Sequence, residues 1–110
     1  MSGLSNVVDQ QYTANYTSIG PSTTVTLAGT GGGRKGDFIA GIFIVPSTVS
    51  PGAVSISDGG GGGITVFAGG ANSVSNLVSF LCPLGIQSIS GSWSITTGAA
   101  VSVLVTGGFT

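Results

Sequence analysis

Nine consecutive residues in the middle of this chain, Phe38-Ile39-Ala40-Gly41-Ile42-Phe43-Ile44-Val45-Pro46, contain no polar side chain. A strand with one wet face alternates apolar and polar residues, because successive side chains point to opposite sides of the sheet. From Ile42 to Val45 that alternation is missing, so both faces of the segment call for cover. The core of a small domain covers one face. The other then needs a second layer or a neighbouring subunit. This stretch is read as serving both the fold and an assembly contact.

The rest of the composition points the same way. Charged residues make up 5% of the chain, and net charge is -1, with no Glu and no His. An ordinary soluble protein carries roughly 25% charged residues. So little charge leaves little repulsion against association, which predicts a homo-oligomer, dimer or trimer. A hydrophobic content of 41% is enough to build a core and argues against intrinsic disorder. At 110 residues the chain has the size of one domain.

Short alternating segments fill most of the remainder. Thr23-Thr24-Val25-Thr26-Leu27 puts Val25 and Leu27 on one face and threonines on the other. Val54 and Ile56 alternate with Ser55 and Ser57, Asp58 closes that strand, and Ile64-Thr65-Val66-Phe67-Ala68 follows five consecutive glycines. The pair reads as a hairpin whose tip, Gly59 to Gly63, is exposed and mobile. Leu77 to Cys82 is an apolar strand expected to stop at Pro83, which cannot donate to a ladder. Ile89, Gly91, Trp93 and Ile95 point one way from a strand whose serines and Thr96 point the other, and Gly91 leaves room for a bulky neighbour such as Trp93. Val101, Val103 and Val105 close the chain, with Ser102 and Thr106 opposite.

No segment combines helical spacing with helix-forming residues. The expected fold is therefore all-β, an antiparallel β-sandwich of jelly-roll type over residues 21–110. Residues 1–20 mix polar residues with Tyr12, Tyr16 and Ile19 without a period. They are read as a mostly irregular N-terminal arm that orders against a neighbour. The candidate interface residues are Tyr12, Tyr16, Ile42, Phe43, Ile44 and Val45.

Reactive chemistry has little to draw on. General acid–base work uses His or paired carboxylates. The only carboxylates are Asp9, Asp37 and Asp58, in three separate segments. Cys82 sits in an apolar strand with no base nearby and reads as a small buried apolar residue. It is the single cysteine, so no intrachain disulfide can form, which fits synthesis in a reducing cytoplasm. Gly29 to Gly36 suggests a phosphate loop, but Lys35 precedes Gly36 rather than Ser or Thr and no helix follows. Arg34 and Lys35 are the only cations, too few for a nucleic-acid surface. No apolar run approaches the roughly 20 residues that span a bilayer, and no secretory signal is expected. No catalytic residue, metal ligand or cofactor is assigned.

Several short segments carry a resemblance. They are Lys35-Gly36-Asp37, Ile42 to Pro46, Ser50-Pro51-Gly52-Ala53-Val54 and Ile64-Thr65-Val66-Phe67. Gly91-Ser92-Trp93, Thr97-Gly98-Ala99 and the terminal Gly108-Phe109-Thr110 complete the set. Together they resemble small structural proteins encoded by tailed bacteriophages, over residues 35–110. The glycine run and the scarcity of charge depart from that pattern. The resemblance implies a virion component, best matched by a decoration or cement protein. Such a protein binds across major capsid protein subunits on the head surface after synthesis in the host cytoplasm. It brings turn and strand residues and no reactive site. The competing class is a receptor- or glycan-binding module such as a tail-fibre component, with Trp93 and the two tyrosines as its candidate rings.

Overall fold

In a computed structural model, residues 15–29 and 31–110 are described, and their regular elements are eight strands. These are β1 (Asn15–Ile19), β2 (Thr24–Thr26), β3 (Phe38–Pro46), β4 (Val54–Asp58), β5 (Ile64–Phe67), β6 (Phe80–Gln87), β7 (Trp93–Thr97) and β8 (Val101–Gly108). They form two antiparallel four-stranded sheets, sheet A in the order β1-β8-β3-β6 and sheet B in the order β2-β7-β4-β5. Only the β4–β5 hairpin joins neighbours within a sheet; every other connection crosses from one sheet to the other. That is the strand order of a jelly roll, as expected.

The core lies between the sheets. Sheet A contributes Ile19, Ile39, Ile42, Ile44, Val101, Val103 and Val105; sheet B contributes Val54, Ile56, Trp93 and Ile95. Leu27 and Phe109 pack in from beyond the ends of β2 and β8. Trp93 is 2% exposed, and its indole N–H donates to the Asp37 carbonyl at 2.9 Å, so its one polar atom is satisfied inside. At one side of the sandwich, the rings of Phe67 and Phe80 meet edge-on with centroids 5.3 Å apart.

The central strand shows why its sequence lacks a period. The register of β3 against both β6 and β8 shifts between Ile39 and Gly41. This bulge resets the parity, so that Ile39 points inward before it and Ile42 and Ile44 point inward after it. Gly107 lies opposite the bulge, where a Cβ would run into the Phe38 carbonyl oxygen.

Four expectations change. Residues 15–19, placed in the arm, are a strand hydrogen-bonded along β8 with uninterrupted register. β6 begins at Phe80 rather than Leu77 and runs through Pro83, because it is an edge strand, where a missing donor is tolerated. Leu77 and Val78 lie in an exposed loop. Gly91 does not make room for Trp93: it faces Gly59, whose Cα lies 2.9 Å from where a Cβ would be. Ile89 is likewise not on the inner face of β7, which starts only at Trp93; its side chain is exposed.

Candidate functional site

Alternation on β3 after the bulge puts Ile42 and Ile44 in the core, each fully buried, so of the four candidates on this strand only Phe43 and Val45 are on the outer face. Phe43 and Val45 point outward from sheet A, and Phe43 remains 38% exposed. Register then decides what stands beside Phe43. It is opposite Leu104 on β8 and Leu81 on β6, and Leu104 in turn is opposite Ser18 on β1. In the next row, Gly41 lies opposite both Thr106 and Pro83, and Thr106 lies opposite Tyr16.

These residues enclose an open groove of ≈ 700 Å³ lined by Tyr16, Phe43, Leu81, Leu104 and Thr106. Gly41 lets Leu81 lie across the strand, since a Cβ there would sit 3.1 Å from Leu81 Cδ1. Tyr16 is 70% exposed beside it. The Thr106 hydroxyl donates to the Gly41 carbonyl in a long contact of 3.4 Å, which leaves the lining apolar in character. Among the described residues, no strand of sheet A carries a charge. Tyr12 lies outside the described residues.

Two carboxylates elsewhere hold loops together. The Asp37 carboxylate accepts the Arg34 N–H at 3.0 Å, the Thr110 N–H at 3.2 Å and the Thr110 hydroxyl at 2.9 Å. Burial pulls that carboxyl upward, but these bonds and the Arg34 charge outweigh it and hold Asp37 below its ordinary value. Asp58 accepts three successive backbone N–H groups, from Ile89 at 2.8 Å and from Ser90 and Gly91 at 3.1 Å each. The Ile89 bond leads in lowering its pKa, burial opposes, and the Ser90 and Gly91 bonds add to the lowering. Each carboxylate is a staple between loops. Burial pushes the Cys82 thiol up, away from the thiolate that a nucleophile needs.

The glycine-rich loop before β3 is spent in the same way. Gly31 N–H donates to the Thr110 carbonyl, and Gly36 N–H donates to both oxygens of Ser88. The Gly31, Gly32, Arg34 and Gly36 amides are thus bonded within the protein. The hairpin tip is tied at its base, where Gly59 N–H donates to the Ser92 carbonyl at 2.9 Å.

Of the candidate interface residues, Tyr16 and Phe43 line this groove and Val45 faces outward from the same sheet, while Leu81, Leu104 and Thr106, which also line it, were not among them. One signal was there: Leu104 stands between Ser102 and Thr106 on what is otherwise the polar face of β8. A leucine in a row of hydroxyls marks an outer face that is not simply wet. Comparison with protein-family models, with curated proteins and with solved structures returns no match.

Proposed function

We propose that this protein is a non-enzymatic virion component of a tailed bacteriophage, a decoration or cement protein that binds across coat subunits and strengthens the head. The observation that carries the reading is the outer face of sheet A: an apolar groove on a face without charge, on a domain with almost no charge anywhere. Such a face suits docking onto another folded surface, because apolar burial favours contact at about 25 cal/mol per Å² with no ions to desolvate. The jelly roll is an architecture of viral capsid domains as well as of lectins. Its partners are the coat protein and further copies of itself, and its place is the capsid surface. Nucleic acid and membrane are not among them.

The glycan-binding alternative draws less support, because Trp93 is the ring best suited to stack on a sugar and it lies in the core. The deciding experiment is to purify intact particles on a density gradient and quantify this chain against the coat protein. A fixed ratio close to a small multiple of the coat copy number is expected, with particles lacking it more easily burst by heat. Absence from particles would overturn the reading. A few copies per particle together with sugar binding would replace it with the receptor module.

A further inference from the structure

A sheet edge presents unpaired backbone N–H and C=O groups and invites another strand, so folded proteins blunt their edges. Among the described residues, this sandwich has four edge strands. In sheet B, β2 has three residues and β5 four, the latter beside a register shift in β4. In sheet A, β6 contains Pro83 and also Gly85 with a positive φ of 68°. β1 has none of these devices. It is five residues long, Asn-Tyr-Thr-Ser-Ile, with no charge, proline or glycine, and its pairing with β8 has no shift. β8 covers one side of it, and among the described residues no strand pairs with the other.

Resting on the assembly reading above, we infer that β1 is a self-pairing edge: β1 of a second copy adds to it antiparallel, about a two-fold axis through Thr17. The occupant follows from the strand itself. An uncharged strand placed antiparallel to its own copy sets no like charges opposite each other, and a two-fold contact closes at two chains, using up both β1 edges and leaving only the proline- and glycine-blunted β6 at either end. Centring on Thr17 pairs all five residues and sets Tyr16 of each copy opposite Ser18 of the other. Both of these side chains are exposed on the outer face. The two sheets A become one eight-stranded sheet with both apolar grooves on the same side, so that the pair offers one platform to a larger surface.

The register makes the test specific. Tyr16→Lys with Ser18→Lys puts lysine opposite lysine twice, whereas Tyr16→Lys with Ser18→Glu puts lysine opposite glutamate twice, and both variants lose the same tyrosine. Mass is measured by light scattering at low salt, with circular dichroism and melting to confirm the fold. The expected result is a doubled mass for the unaltered chain, a single-chain mass for the double lysine variant, and a doubled mass again for the lysine–glutamate variant. If the double lysine variant stays paired, or the lysine–glutamate variant does not recover, the β1 edge is not the contact. A single-chain mass for the unaltered protein overturns self-pairing altogether. The particle measurement above decides the decoration role independently of each of these outcomes.

Discussion

The two sheets share one core and the same alternation, yet their outer faces are opposites. Across sheet B runs a row of hydroxyls, Thr24–Thr96–Ser55–Thr65, one from each strand, with Thr26–Ser94–Ser57 beside it. The first pair is closed by a hydrogen bond between Thr24 and Thr96 hydroxyls at 3.0 Å. Across sheet A the equivalent row reads Ser18–Leu104–Phe43–Leu81. Folding constrains inward residues strongly and outward ones weakly, so a wet face could have carried hydroxyls in both sheets. Apolar side chains where hydroxyls would serve point to a second demand on sheet A, contact with another surface. Under the proposed function, that difference would turn sheet A toward the partner and sheet B toward water.

The largest effect should come from the layer the sheets share. Trp93→Ala should cost about 3–5 kcal/mol in a urea titration, since a large side chain and its buried hydrogen bond disappear together. If the variant kept its melting temperature and instead lost sugar binding, Trp93 would belong to a ligand site and the two faces would need reassignment.

Making sheet A resemble sheet B tests the contrast directly. Phe43→Ser with Leu104→Ser should change stability by only about 1–2 kcal/mol, because both side chains are incompletely buried. Binding to virus particles should nevertheless fall strongly. Because the proposed contact is apolar, binding of the unaltered chain should hold from low to high salt; dissociation by salt alone would show that ion pairs make it.

Acid should loosen the loops at the ends of both sheets more gently. Asp37 and Asp58 have pKa values lowered from an ordinary 3.8, so their contribution is present above that value and is lost as pH falls through their lower folded values. Urea midpoints should therefore be level from neutral pH to about 4 and then decline. Asp37→Asn combined with Asp58→Asn should flatten that decline; an unchanged slope would show that the staples are not its source.

The smallest change is on the wet side. Thr24→Val removes the cross-strand hydroxyl pair and should cost less than about 1 kcal/mol, with particle binding untouched. Lost particle binding would put sheet B, not sheet A, against the partner.

Much of this was legible along the chain, because alternation is local. β2, the β4–β5 hairpin, β7 and β8 follow from apolar residues at every second position between Gly, Pro and Ser, and the absence of helix-forming runs leaves an all-β sandwich. The scarcity of charge and an unusual central strand were equally plain. Other features depend on neighbours distant in sequence. Which of Ile42 to Val45 faces the core turned on a bulge that needs Gly107 opposite it. Whether Pro83 ends a strand turned on β6 being at an edge, and edge position is a property of the sheet. That residues 15–19 are a strand required β8, from the far end of the chain, as their partner. The groove combines residues of four strands, and only register places Leu81 and Leu104 on either side of Phe43. Period and composition determined the strands and their inner faces; cross-strand register, set by the whole fold, decided which outward residues meet.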